Sequence, residues 1–148
     1  MIRRAELQLS LQFADPTLRA MLPRHSVQRW LCAALDAPAE ITVRFVADDE
    51  GRQLNHDFRQ KDYATNVLTF DYQHAPVVVA DLVLAGGVLQ REAADLGLPV
   101  ADHAAHLLVH GALHAQGFDH EDDAEAEVME ARETAILRGL GLHNPYGP

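Results

Sequence analysis

The 148-residue chain has a single cysteine, Cys32, so no disulfide can form within it. No apolar run approaches the roughly 20 residues that a membrane-spanning helix requires. The first residues lack the apolar stretch and small-residue cleavage site of a secretory signal. These absences predict a cytoplasmic protein that works where thiols stay reduced. We expect Cys32 to be buried and inert, and Trp30 to lie in the core.

Positive charge is also scarce. The chain has 12 Lys and Arg against 22 Asp and Glu, and its formal net charge is −10. Residues 62–148 carry only three of the basic residues but fourteen of the acidic ones, eight of them between Asp119 and Glu133. The basic surface that is typical of nucleic-acid-binding domains is therefore excluded for the chain as a whole. RNA could bind only through a local patch, with a modest salt dependence because few phosphates would be neutralised.

The length suits one domain with a substantial core, and we predict that residues 1–148 form it, with 142–148 as a flexible tail. Leu7, Leu9, Leu11 and Phe13 alternate with polar residues, which predicts a strand. Further strands are expected over 41–46, 67–72 and 77–84, the last two joined by a hairpin-like connection. Helices are expected from Pro23 and over 48–58, 86–96, 100–116 and 123–138, and Asp15-Pro16 fits either a turn or a short helical start. The pattern predicts an α+β fold in which a four-stranded mixed sheet packs against about five helices.

Histidine is concentrated near the C-terminal half of the predicted 100–116 helix. His110, His114 and His120 stand at i, i+4 and i+10, and Gly117 follows the second by three residues. In a helix the first two lie one turn apart on the same face. A left-handed Gly117 would end the helix and return the chain, which brings His120 toward them. Three neutral imidazoles with one open coordination position indicate a catalytic zinc site, rather than a closed structural one.

The spacing is that of the zincin pattern, H-E-x-x-H-x-x-G-x-x-H, with one difference. Gly111 stands where a metalloprotease has the glutamate that takes a proton from the metal-bound water. Glycine cannot act as a base. The sequence therefore predicts a zincin-like three-histidine metal site without the usual protease base.

The segment 105–120, AHLLVHGALHAQGFDH, resembles the signature of the YbeY family, the metal-dependent endoribonucleases of ribosomal RNA maturation. Weaker blocks follow the family's order, among them TNVLTF at 65–70, DLV at 81–83, and Met129 with Glu133. The likeness spans about residues 22–142. Two positions depart from it: Asn66 stands where the family usually has aspartate, and Ala80 where it has glycine.

The resemblance implies a zinc-dependent, single-strand-specific endoribonuclease that acts in 16S ribosomal RNA 3′ end processing and in ribosome quality control. It implies that His110, His114 and His120 bind one Zn²⁺, although nickel or another divalent ion could also accept three imidazoles. It makes Arg59 the catalytic residue, which would hold the scissile phosphate through its planar fork. The expected partners are single-stranded or ribosomal RNA and the ribosomal subunit or its associated proteins, with neither DNA nor a membrane. No general base is assigned.

Two other functions fit the same histidines. The chain could be a metallopeptidase or another amide hydrolase, against which Gly111 argues. Alternatively, it could be a non-catalytic ribosome-binding module in which the metal only stabilises the fold.

Several neighbours of the motif have more than one interpretation. His106 also precedes His110 by four residues, and we interpret it as supporting the ligands or packing beside them. His103 is expected on the surface. Asp119 could orient an imidazole or serve as a turn residue. We interpret the acidic run up to Glu133 as a solvated helix face, with only a small chance that Glu133 points toward the site.

Other polar residues lie outside the histidine motif. Arg44, Arg52 and Lys61 could extend a local basic patch beside Arg59, although each is more often an ordinary surface residue. Asn55 and Thr65 fit turns or caps. Asp81 is either exposed on a strand face or buried with a partner.

Overall fold

The structure is a computed structural model that describes residues 1–57, 67–119, 121–142 and 145, without the side chains of 55–57. Its four strands form one mixed sheet in the order β1-β2-β4-β3, in which β3 alone runs antiparallel to its neighbour. The strands are β1 (Leu7–Phe13), β2 (Ala39–Val46), β3 (Val67–Gln73) and β4 (Val78–Ala85). The predicted α+β class, the four strands and the mixed sheet are confirmed, and β3 and β4 form the expected hairpin.

Six α-helices surround this sheet in the described ranges, one more than the sequence predicts. They are α1 (Pro16–Met21), α2 (Arg24–Ala34), α3 (Asp48–Asp57), α4 (Gly86–Leu96), α5 (Val100–Ala115) and α6 (Asp123–Gly139). The additional helix is α1, which begins at a proline and is capped by Asp15, whose side chain accepts from the Thr17 amide. The predicted tail cannot be assessed, because 143–144 and 146–148 lie outside the described residues.

The two faces of the sheet differ in polarity, as alternation along β1 and β2 requires. Apolar side chains such as Leu9, Ile41 and Val43 are buried on one face, whereas Ser10 and Thr42 project from the other. The buried face packs against α5 and α2. Among the residues that the structure describes, no helix combines the length and apolarity needed to cross a bilayer.

Helix α5 is the central element of the core. It contacts α2, α4, α6, β3 and β4, and eleven of its sixteen residues are buried. Gly111 lies where α5 comes closest to the sheet: a Cβ there would meet Leu82 at 3.1 Å and Val67 at 3.2 Å. The absent side chain thus allows the helix that carries His110 and His114 to approach β3 and β4 closely.

Gln116 ties the end of α5 to the segment that follows α2. Its side-chain oxygen accepts from the Asp36 amide at 2.8 Å, and its amide donates to the carbonyls of Ala34 at 2.8 Å and Ala112 at 3.0 Å. Arg132 of α6 adds an ion pair with Asp36, at 2.6 and 2.7 Å to the two carboxylate oxygens. The C-terminal end of α5 is therefore fixed by hydrogen bonds that span about 80 residues of sequence.

We expect Gln116→Ala to lower the free energy of unfolding by about 1–3 kcal/mol, because it leaves backbone groups at 34 and 36 without their partner. The melting temperature should fall by roughly 2–12 °C in a chain of this size, as measured by circular dichroism. Gln8→Ala, on the exposed side of β1, is the matched control and should leave the melt unchanged. Equal shifts in the two variants would contradict this role.

Candidate metal centre

The C-terminal end of α5 has the predicted turn. Gly117 adopts a left-handed conformation with φ of 101°, and the Phe118 amide donates back to the Leu113 carbonyl at 3.1 Å. These two features match a glycine-terminated helix end. The chain therefore reverses direction just after His114, as the position of the glycine predicts.

His110 and His114 lie side by side on α5, and their ring centroids are 4.7 Å apart. His110 is 3% exposed, whereas His114 is half-buried. The third predicted ligand, His120, lies outside the described residues, and so does Arg59. The structure thus brings together two of the predicted metal ligands, while the roles of His120 and Arg59 stay predictions.

Hydrogen bonds at Nδ1 orient both rings. The Nδ1 of His114 is 2.9 Å from the Phe118 carbonyl oxygen, which can only accept, so the proton of the neutral ring lies on Nδ1. The Nδ1 of His110 contacts the carboxylate of Glu133 in the same way. In each neutral ring the lone pair is then on Nε2, the atom that would bind a metal. Oriented imidazoles of this kind are usual at metal centres, so the residues present fit a divalent ion.

Glu133 is the site residue that the sequence interpretation missed. It is fully buried, not part of a solvated face, and it contacts His110 through one oxygen and lies 3.4 Å from His106 Nε2 through the other. Met129 and Leu137, one turn before and after it on α6, are buried as well. A glutamate inside the apolar stripe Met129–Glu133–Leu137 was the signal that could have identified it.

The prediction for His103 was also wrong. This residue is buried at 6% exposure, and its Nε2 lies 2.9 Å from a carboxylate oxygen of Glu92 on α4. The surface assignment failed because α4 packs over the N-terminal half of α5 and supplies an anionic partner there. His106 lies between the two buried pairs and contacts Glu133, consistent with a residue that supports or packs beside the ligands.

A surface cleft of about 540 Å³ adjoins the turn after α5. Phe118, whose carbonyl orients His114, lines it together with Asp119, Glu121 and Glu125. Ligand atoms of these three carboxylates lie within 4.8 Å of one another. The cleft is thus strongly anionic, and both interpretations of Asp119 stay open.

The structure describes only some of the other polar residues that the sequence singled out. Arg44 forms an ion pair with Glu50 at 2.8 Å and a hydrogen bond with Gln12, so its charge is largely compensated. Arg52 is exposed on α3. The other members of the predicted basic patch and its surroundings, Lys61, Thr65 and Asn66, lie outside the described residues, as does the side chain of Asn55.

The structure also shows the surroundings of Asp81, Cys32 and Trp30. Asp81 has a partner, since it accepts from the Tyr72 hydroxyl at 2.9 Å on the neighbouring strand. Burial and this carboxylate raise the pKa of Tyr72. Cys32 is buried as expected, at 7% exposure, and burial raises the pKa of its thiol, which disfavours the reactive thiolate. Trp30 lies in the core as predicted.

Known proteins resemble this chain over nearly its whole length. Residues 12–141 match the family model described as endoribonuclease YbeY. Curated relatives named endoribonuclease YbeY include those of Methylibium petroleiphilum, 67% identical over 97% of this chain and 96% of the relative, and Albidiferax ferrireducens, 59% identical over 95% and 98%. The relative from Polaromonas naphthalenivorans is 61% identical over 95% and 96%.

The fold has a solved counterpart. The solution structure of a Thermotoga maritima protein matches 95% of this chain and all of that chain, with a TM-score of 0.53 and 18% identity. At that identity the likeness concerns the fold alone. The family model and the relatives each cover most of the sequence, and on their evidence the chain belongs to the YbeY family of endoribonucleases.

Proposed function

We propose that this chain is a zinc-dependent, single-strand-specific endoribonuclease that acts in the cytoplasm on ribosomal RNA. The observation that best supports this proposal is the orientation of two histidine rings on α5. The Nδ1 atoms of His110 and His114 face hydrogen-bond acceptors, so their Nε2 atoms would bind the ion. His120 would complete the set of ligands. The names of the relatives support RNA cleavage as the activity.

When bound, the zinc ion would act as a Lewis acid on a phosphate oxygen or lower the pKa of a bound water toward roughly 7. The chain's own contribution is to orient the imidazoles before the ion arrives. Phe118 does so from the turn after α5 through its backbone carbonyl, and Glu133 does so from α6 through its carboxylate. This orientation reduces the reorganisation that binding requires.

The anionic cleft next to the site sets a requirement for any RNA substrate. Asp119, Glu121 and Glu125 repel phosphates, so positive charge must be supplied by the metal and by a cation such as Arg59. Affinity for the ribosome or a ribosome-associated protein would add to this weak attraction. Processing at the 16S 3′ end and a role in ribosome quality control are the proposed biological setting.

We expect Arg59→Ala to reduce the rate of cleavage of single-stranded RNA about 10²-fold, because the scissile phosphate loses a bidentate cation. The zinc content should remain at the wild-type level. Cleavage is followed with a fluorescent single-stranded oligoribonucleotide, and zinc by elemental analysis of purified protein. A duplex of the same sequence should be cut far more slowly.

Arg29→Ala is the matched control, since Arg29 is an exposed cation on α2 that belongs neither to the predicted basic patch nor to the metal centre. It should cut RNA at nearly the wild-type rate. If both arginine variants lose activity equally, or if Arg59→Ala keeps full activity, then a specific role of Arg59 at the phosphate is refuted.

A further inference from the structure

A carboxylate with no solvent exposure needs compensation. Glu133 is completely buried, and burial of an ionised carboxylate is costly unless donors or positive charge accompany it. Its compensation comes from α5: one oxygen accepts from His110 Nδ1, and the other lies near His106 Nε2. The buried charge is therefore placed at one ring of the candidate metal centre, where a divalent cation would balance it further.

The carboxylate also determines which nitrogen of His110 carries the proton. An ionised carboxylate can only accept, so the neutral ring must present N–H at Nδ1 and the lone pair at Nε2. The His114 ring has the same tautomer but a different acceptor, the Phe118 carbonyl. The backbone fixes one ring, whereas the other depends on a side chain from another helix.

A second His–Glu pair that involves α5 provides a comparison for Glu133. His103 is paired with Glu92 of α4 at 2.9 Å, and its ring centroid is 6.2 Å from that of His106. That pair has the same chemical composition on the same helix, but Glu92 is partly exposed and the pair lies two turns before His110. It therefore separates the general stabilising effect of a His–Glu pair on α5 from an effect on the metal.

We propose that Glu133 is the positioning residue of the metal centre, and that it holds His110 in the Nδ1–H tautomer with Nε2 directed at the ion. This inference rests on the proposed role of His110 and His114 as ligands. It links α6 to the site through the buried contact of Glu133 with His110. Outer carboxylates of this kind typically change metal affinity by about 10–100-fold.

The decisive experiment compares Glu133→Gln with Glu92→Gln in the full-length chain. In the metal-free wild type, side-chain ¹⁵N NMR should show His110 protonated at Nδ1 and unprotonated at Nε2. The glutamine amide can donate as well as accept, so in Glu133→Gln the other tautomer should become populated. Competition with a chromophoric chelator should show a zinc dissociation constant raised about 10–100-fold in Glu133→Gln and unchanged in Glu92→Gln.

The possible outcomes distinguish the role of Glu133 from the existence of the metal site itself. Zinc binding by the wild type that Glu133→Gln leaves unaltered overturns the role of Glu133 while the metal site stands. A wild type that binds no zinc overturns the metal site itself, and the positioning role with it. If Glu133→Gln does not fold, the wild-type spectrum decides: protonated Nε2 on His110 overturns the inference, and protonated Nδ1 supports it. An equal loss of zinc affinity in Glu92→Gln would assign the effect to general stability and overturn it as well.

Discussion

Replacing His114 with alanine should abolish stoichiometric zinc binding and reduce RNA cleavage about 10³-fold, while the domain remains folded. The expected factor follows from the several kcal/mol that a Lewis-acidic metal contributes to transition-state stabilisation, at about 1.4 kcal/mol for each factor of ten. The structural cost is small, because His114 is only half-buried and its Nδ1 bonds to the backbone carbonyl of Phe118. Loss of that bond costs about 1 kcal/mol. Elemental analysis, a single-turnover cleavage assay and a thermal melt measure the three quantities.

His74→Ala provides the control for this experiment. His74 is an exposed histidine near the β3–β4 hairpin that pairs with Asp71 at 2.7 Å, so its removal changes the imidazole count without touching α5. It should retain zinc and activity. If His114→Ala instead unfolds as it loses the metal, the ion is structural and the ribosome-binding module becomes the better interpretation. Hydrolysis of peptides by the wild type would favour the amide hydrolase.

The sequence predicted the elements of the fold well, because their signals are local. Alternation identified β1, and helix α6 begins after Asp122, whose side chain accepts from the Glu125 amide at 2.8 Å and so caps the helix locally. The glycine at 117 correctly predicted the end of α5. The order of strands was not predicted, since pairing β2 with β4 depends on contacts between segments about 40 residues apart.

The same distinction between local signals and tertiary contacts applies to the residues of the candidate site. His110 and His114 were found because one helix places them on one face, and helical spacing is visible in sequence. Glu133 and Glu92 were missed as partners because each reaches its histidine from another helix. In an acidic segment, a charged residue is assigned to the solvent-exposed face of the helix, because charged side chains are seldom buried. Only the tertiary structure shows which of these residues another helix covers. The same reason explains why His103 was assigned to the surface.

Gly111→Glu should unfold the protein or weaken it by about 4 kcal/mol or more, and it should create no peptidase. A Cβ at this position would meet Leu82 at 3.1 Å and Val67 at 3.2 Å, so the added side chain is directed at the sheet. Overpacking costs about 1–3 kcal/mol, and a buried carboxylate without a partner adds a comparable or larger penalty. Packing against the sheet therefore excludes a glutamate at this position, and restoring the zincin pattern cannot restore its base.

Two further variants isolate the cause. Gly111→Ala adds volume without charge, and its strain is offset by the roughly 1 kcal/mol by which alanine favours a helix over glycine, so its stability should stay near wild type. Gly139→Glu adds the same charged side chain to the exposed last turn of α6, where a Cβ would meet nothing within 4 Å. Its helix propensity and its charge near a helix C-terminus have opposite effects of less than about 1 kcal/mol, so it should unfold at nearly the wild-type urea concentration. A Gly111→Glu protein as stable as Gly139→Glu would show that the α5–sheet contact tolerates a side chain, and the amide-hydrolase comparison could then be made directly on a folded variant.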